Sequence, residues 1–359
     1  MRVLIFGTGA IGSLLGHRLA HAGHEVTLVG RPSYVRAVQE HGLILEEGRS
    51  PGRHAVYPSA VTNISDMPIS QRHWDVILLT VKAYDTQEAV SALATHVSSD
   101  TPLLIVQNGV GGEELAQQVW KQVAMISGVL TLSVSVLSPG HIRLETTRGG
   151  LNLAPAREGV NVDEWAKLFS TSGLKVATYH DYRAVKWSKL LLNMQANAIP
   201  AILDMTPEAV FAHAALFAIE RGAFLEALAV MQAMHLDVVS FPGYPVPLLV
   251  WTMQMMPTLL LRPLLMRLVA TGRGDKKPSL HMDLAGGRQR SEVVYLNGAV
   301  AAHAERMGLD APINKALCEI LTSIAIGRMS WDEFRGQPQK LIMRIQQASF
   351  YGFRDSGRS

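Results

Sequence analysis

The mostly apolar stretch "KWSKLLLNMQAN", Lys186 to Asn197, places Lys189, Asn193 and Asn197 at successive four-residue steps. Each step of four turns a helix by about 400°, so the three fall within roughly 80° of one another on one face. A lysine so placed can hand a proton to a carbonyl oxygen and steady the charge developing there. Neutral amides beside it can orient a bound molecule through hydrogen bonds. The alternative is a polar seam between domains, satisfied by backbone groups. Lys186, one turn earlier, reads as a bystander.

A second set of residues opens the chain. In "GTGAIG", Gly7, Gly9 and Gly12 have the G-x-G-x-x-G spacing, with Thr8, Ala10 and Ile11 between them. The first glycine allows a tight turn, the second lets backbone approach a pyrophosphate, and the third lets helix and strand pack closely. The helix that follows offers its free N–H groups to the phosphates. An NAD-selective site of this kind places an acid about 20 residues on. Here "VTLVGRPSYVR" supplies Arg31 and Arg36 and no acid, which favours a 2'-phosphate and hence NADP(H). Lys82 and Asn108 close the apolar runs "VILLTVK" and "LLIVQN". Ligands of open α/β sheets bind outside the carboxyl ends of the strands, so Gly7, Arg31, Lys82 and Asn108 should converge on one crevice. A helix cap is the plainer role for Asn108.

The elements that must position these residues follow from periodicity. "RVLIF", "EVTLVG", "DVILLTVK" and "PLLIVQNG" read as strands, and Ala10 to Ala22 and "TQEAVSALATHV" as helices between them. Strands alternating with helices predict a doubly wound parallel sheet. Residues 123–155 look like extra strands that close this domain. From about Tyr182 the apolar period becomes helical, through "AVKWSKLLLNMQANAIPAIL", "SEVVYLNGAVAAHAERMG" and "NKALCEILTSIAI". The expected architecture is α/β, a Rossmann-type dinucleotide-binding domain over 1–181 followed by an all-helical substrate domain over 182–350.

Composition narrows the class. The 359 residues are 48% hydrophobic and 18% charged, as in a globular protein with two cores. A net charge of +3 gives nucleic-acid binding no support. One cysteine, Cys318, leaves no internal disulfide and suits a reducing, cytoplasmic setting. The N-terminal apolar run resembles a signal peptide, but cleavage would remove its glycines, which argues against secretion.

Three features have weaker readings. Arg262 to Arg290 holds seven Lys or Arg residues (Arg262, Arg267, Arg273, Lys276, Lys277, Arg288 and Arg290) against Asp275 and Asp283. They form either a solvated face or a field that draws in an anion. "FPGYPVPLLVWTMQMMPTLLL", Phe241 to Leu261, carries no charge, yet four prolines argue against a membrane span. It is expected to be a helical excursion packed on the second domain or on a partner subunit, with a lid or membrane contact as alternatives. His17, His21 and His24 fall opposite the apolar stripe of their helix and should lie on a solvated face, not at a metal.

Taken together, "GTGAIG", "TVKAYD", "VQNGVG", "KWSKLLLNMQANAIPAI" and "PSLHMDL…RSEVVYLNGAV" resemble the ketopantoate reductase (2-dehydropantoate 2-reductase) family over most of the chain. The resemblance implies NADPH-dependent reduction of ketopantoate to pantoate, towards pantothenate and coenzyme A. It makes Lys189 the general acid, with Asn193 and Asn197 positioning substrate. It also implies that Glu292 binds the substrate hydroxyl and holds the lysine, and that Ser279 meets the substrate carboxylate. Asn108 and Lys82 would act between cofactor and substrate, and Arg31 would hold the 2'-phosphate. Unaided by the resemblance, Glu292 reads as a surface helix carboxylate and Ser279 as a helix cap. The stretch from Phe241 to Gly274 is longer than in typical members, which leaves room for a different anionic 2-oxo acid. A non-enzymatic dinucleotide-binding or membrane-associated protein is the third alternative; it has no need of a proton donor. A homodimer is compatible with the apolar segment.

Overall fold

The unbroken apolar run Arg2–Phe6 forms β1, and the glycine turn after it leads into α1 (Ala10–His21). β2 (Glu25–Val29), α2 (Pro32–His41), β3 (Leu43–Glu47), β4 (Arg53–Val56), β5 (Ser59–Val61) and β6 (Val76–Leu79) follow. Next come α3 (Thr86–His96), β7 (Leu103–Ile105), α4 (Gly112–Val119), β8 (Met125–Leu130), β9 (Val134–Ser138) and β10 (His141–Leu144). β11 (Leu151–Pro155), α5 (Asp163–Thr171) and β12 (Val176–Thr178) complete the α/β part. The computed structural model describes residues 1–48, 52–272 and 277–355. Arg273 and Lys276 of the basic stretch lie outside the described residues.

The main sheet runs β12-β11-β8-β7-β6-β1-β2-β5. All its pairings are parallel except that of β8 with β11. Strand order reverses at β1, with β2 on one side and β6 on the other, which is the switch point where such sheets bind ligands. Side chains alternate across β1: Val3 and Ile5 join an apolar cluster with Leu14, Leu15 and Leu28, while Leu4 joins another with Ile77, Val90 and Leu103. Both faces are thus covered, as a parallel sheet requires.

The extra strands divide between two sheets. β8 and β11 extend the main sheet, whereas β9 and β10 join β3 and β4 in a second sheet of order β4-β3-β10-β9. α1 packs against all four of its strands. This overturns the expectation of a solvated histidine face. His21 is exposed, but His17 is 2% exposed and donates from Nε2 to the carbonyl of His54 at 2.9 Å. Burial lowers its pKa from 6.5 to about 4.

The chain divides into two units, Met1–Lys186 with Phe241–Tyr244, and Trp187–Ser240 with Pro245 onward. The boundary falls inside α6 (Tyr182–Met194), between Lys186 and Trp187. Beyond it lie α7 (Ala198–Leu203), α8 (Pro207–Ala212), α9 (Ala214–Ala233), α10 (Val246–Met255) and α11 (Thr258–Gly272). α12 (Ser279–Ala285), α13 (Asn297–Arg306), α14 (Pro312–Ala325) and α15 (Pro338–Asp355) end the described chain. α9 is the centre of this unit. It packs on α8, α10, α13, α14 and α15 and buries Phe217, Phe224, Leu228 and Met231. Its Glu226 accepts the Ile313 and Asn314 N–H groups, both at 2.9 Å, at the start of α14. Burial raises that carboxyl above its usual range.

The uncharged segment splits between the units. Phe241–Tyr244 closes a tight turn by two backbone bonds and folds with the first unit, where Arg148 donates to the Gly243 carbonyl at 2.5 Å. The remainder forms α10 and the start of α11. These pack through Val246, Met253 and Leu261 and expose Leu248, Trp251, Met255 and Leu259. Arg221 of α9 donates to the carbonyls of Met253 (2.8 Å) and Gln254 (3.2 Å), satisfying the end of α10. Among the described residues no helix is long and apolar enough to cross a membrane.

Candidate active site

Each glycine of the first loop has its own reason. Gly7 takes φ +109°, and a Cβ there would meet the Val81 nitrogen at 2.6 Å. A Cβ on Gly12 would lie 2.0 Å from the Gly7 carbonyl oxygen and 2.5 Å from Thr80 Oγ1. A Cβ on Gly9 would meet nothing of this chain within 4 Å. Internal packing therefore demands Gly7 and Gly12, whereas the bareness of Gly9 keeps space open to the outside. Gly9 is also the N-cap of α1, and no side chain caps that end. An open approach to a helix N-terminus fits a pyrophosphate. Thr8, Ala10 and Ile11 lie within this turn and the first helical residues. The Ser13 hydroxyl donates to the Thr8 carbonyl at 3.3 Å and pairs with Tyr34 Oη at 3.0 Å, tying the turn to α2. Burial pushes the Tyr34 hydroxyl up to about 12, so it remains neutral.

The strand ends are in register. Phe6 pairs with Val29 and with Leu79, and Leu79 pairs with Ile105. Gly7, Arg31, Lys82 and Asn108 therefore follow neighbouring strands along one carboxyl edge. A Cβ on Gly30 would press on Thr8 Oγ1 at 2.2 Å, so the backbone just before Arg31 lies against the glycine loop. Arg31 is the exposed N-cap residue of α2, and the sequence from Val29 to Arg36 contains no acid. Lys82 and Asn108 are half-buried. Between them acts Gln107, whose side-chain nitrogen donates to the Val81 carbonyl at 2.9 Å and to Thr86 Oγ1 at 3.0 Å.

Lys186 is more than a bystander on the helix surface. It is 4% exposed, stands 3.0 Å from Glu113 Oε1 and donates to the Gln107 carbonyl at 2.8 Å. Nothing local in the sequence marks this pair, because its partners are far apart along the chain.

In the helical unit the expected continuous stripe is broken. α6 stops at Met194, Ala196 takes φ +49°, and Asn197 is the cap residue of α7. Pro200 explains the break: its ring would clash with the carbonyl of residue 196 in a continued helix, and it has no N–H to donate. The buried Glu220 carboxylate accepts the Ala196 N–H at 3.0 Å and holds the irregular turn. Asn197 nevertheless stays beside Asn193, because its Nδ2 donates to the Asn193 carbonyl at 3.0 Å. Its Oδ1 accepts the Leu280 N–H at 3.2 Å, which brings the first turn of α12, and so Ser279, to the same place. Ser279 is the first residue of α12, after the cap residue Pro278, rather than its cap. Lys189 is half-buried in α6, one turn before Asn193. Glu292 is 4% exposed in a short 3-10 turn, Glu292–Tyr295, and so is not a surface helix carboxylate.

The family model described as "Ketopantoate reductase PanE/ApbA" matches residues 3–158, and "Ketopantoate reductase PanE/ApbA C terminal" matches residues 181–325. The chain belongs to the ketopantoate reductase family. A 2-dehydropantoate 2-reductase of Pyrococcus horikoshii is 28% identical over 319 residues, covering 88% of this chain and 94% of that one. The solved PanE/ApbA family ketopantoate reductase from Ralstonia eutropha JMP134 is 28% identical with a TM-score of 0.76, covering 91% and 99% of the two chains. D-mandelate dehydrogenase, solved with NADH and anilino(oxo)acetate, is 21% identical with the same TM-score of 0.76 and the same coverage of 91% and 99%. At that identity the likeness is one of fold. The chain is an oxidoreductase, as its family is.

The first family segment carries Gly7 to Asn108 and the second carries Lys189 to Glu292. One further group in the second was missed in the sequence. His281, two residues after Ser279, donates to Asp204 Oδ1 at 2.6 Å, and Arg335 donates to Asp204 Oδ2 at 2.8 Å. The His281 bond, with Arg335 beside it, holds the Asp204 carboxyl below its usual range. Asp204 also has φ +51°, a conformation Asp tolerates better than most residues, so α12 is anchored next to its first turn.

Proposed function

We propose that this chain reduces 2-dehydropantoate (ketopantoate) to pantoate with NADPH, the step that leads towards pantothenate and coenzyme A. The observation that carries the reading is the Asn197 side chain, which gathers Asn193 and the Ser279 turn beside the helix of Lys189. Gly7, Thr8, Gly9, Ala10, Ile11 and Gly12 would hold the pyrophosphate, with Lys82 and Asn108 further along the same edge. Arg31 would pair with the 2'-phosphate; the lack of an acid at this strand end favours NADPH over NADH. When bound, the cofactor supplies a hydride to the substrate's C2 carbon.

The remaining work belongs to side chains of this protein. Lys189 donates its Nζ proton to the carbonyl oxygen as negative charge builds there. Ser279 donates its hydroxyl hydrogen bond to the substrate carboxylate, and Asn193 and Asn197 orient the molecule through neutral amides. Glu292, kept from water, accepts the substrate hydroxyl and steadies the lysine. Cofactor and 2-oxo acid are the ligands this set requires.

A second reading is the same reduction on another anionic 2-oxo acid. It is favoured by the long apolar segment that forms α10 and the start of α11. The test is a screen that follows NADPH absorbance with 2-oxo acids varied in branching and hydroxyl position. Ketopantoate should give the highest kcat/KM; a clear preference for another acid establishes the second reading.

A further inference from the structure

Lys186 and Glu113 form an ion pair that is almost sealed from water, at 4% and 0% exposure. Glu113 Oε1 also accepts the Ser127 hydroxyl of β8 at 2.6 Å. Lys186 donates in addition to the backbone carbonyl of Gln107, the residue before Asn108. The Gln107 side chain in turn donates to the carbonyl of Val81, the residue before Lys82. One buried network thus joins the loops of Lys82 and Asn108, α4, β8 and the first residues of α6.

Stability alone explains this network poorly. Desolvating two charges offsets most of their attraction, and an apolar pair of similar volume often does as well. The second carboxylate oxygen, Glu113 Oε2, is buried without a hydrogen-bond partner among the described residues, which adds to the cost. What charges supply and methyl groups do not is direction. Lys186 fixes one position of the Gln107 carbonyl beside α4.

We infer that Lys186 and Glu113 are positioning residues for the reduction: through the Gln107 carbonyl they hold the Asn108 loop at the carboxyl edge of the sheet, where Asn108 is proposed to meet cofactor and substrate. This rests on the proposed role of Asn108. Neither residue touches the reacting atoms. Their loss should therefore lower kcat much more than it alters KM or folding.

The test replaces the pair by an apolar one of similar size, Lys186→Met with Glu113→Leu, in the full chain. Melting temperature, kcat and KM are then measured with NADPH and ketopantoate. The double variant should melt near the wild type, keep KM within about threefold and lose about tenfold to a hundredfold in kcat, the scale of a small misplacement. Retained melting with kcat within threefold of wild type overturns the inference. Should the double variant fail to fold, Ser127→Ala, which removes the other bond to Glu113, takes its place. A kcat at least threefold lower at unchanged KM then supports the inference, and an unchanged kcat overturns it. A wild-type chain that turns over no 2-oxo acid overturns the functional reading itself, and the positioning role with it. An active wild type with unaffected variants overturns the positioning role alone.

Discussion

The side-chain oxygen of Asn197 accepts the backbone N–H of Leu280 at 3.2 Å, while its nitrogen donates to the Asn193 carbonyl at 3.0 Å. One amide thus joins the end of α6 to the start of α12. Asn197→Ala leaves the buried Leu280 N–H unpaired, at a cost of about 1–3 kcal/mol. It should also release Ser279 from its place, so KM for the 2-oxo acid should rise at least tenfold. Steady-state kinetics and urea unfolding check both effects; an unchanged KM removes Asn197 from the substrate site.

Gly9 and Gly12 should respond differently to the same methyl group. Gly12→Ala drives a Cβ to 2.0 Å from the Gly7 carbonyl oxygen, so the fold itself should lose about 1–3 kcal/mol or more. Gly9→Ala meets nothing of the chain within 4 Å, and as a cap substitution should cost at most about 1 kcal/mol. Its main effect should be weaker NADPH binding, read by fluorescence titration. Wild-type affinity in a folded Gly9→Ala variant would place the pyrophosphate elsewhere.

The sequence from Val29 to Arg36, at the end of β2, offers no acid, and the proposed partner of Arg31 is a phosphate. Arg31→Ala should forfeit a charged hydrogen bond of about 1.5–3 kcal/mol, which is roughly a tenfold to 150-fold rise in KM for NADPH. KM for NADH should hardly move. An equal rise for both cofactors contradicts 2'-phosphate recognition.

His17 makes the fold sensitive to mild acid. Its pKa is about 4 in the folded chain against an ordinary 6.5, so between those values the unfolded chain binds the proton first. Stability is therefore full above about pH 6.5 and falls as pH drops towards 4, by up to about 3 kcal/mol. His17→Gln should flatten that part of the profile. Urea midpoints at pH 7 and pH 4.5 measure it, and an identical drop in variant and wild type would clear His17 of the effect.

Much of this was legible in the sequence. The long apolar runs that became β1, β2, β6 and β7, and the glycine spacing between β1 and α1, carry strong local signals. β3 and β4 do not: "LILEE" and "RHAV" are short and partly exposed, and their sheet is what buries His17 against the helical pattern. The four-residue spacing of Lys189, Asn193 and Asn197 suggested one helix, and Pro200 was the overlooked sign that it must end. Asn197 kept its neighbour by a side-chain bond instead of by helical register. Lys186 with Glu113, and His281 with Asp204, pair across long stretches of chain, and such pairing has no periodicity to reveal it.

The central claim is that Lys189 supplies the proton for reduction of a 2-oxo acid by NADPH. The most direct measurement compares wild type and Lys189→Ala for NADPH consumption with ketopantoate and, separately, for NADPH affinity. Turnover should fall by about a hundredfold or more, the usual scale of general acid catalysis, with NADPH affinity nearly unchanged. Normal turnover by the variant would contradict it.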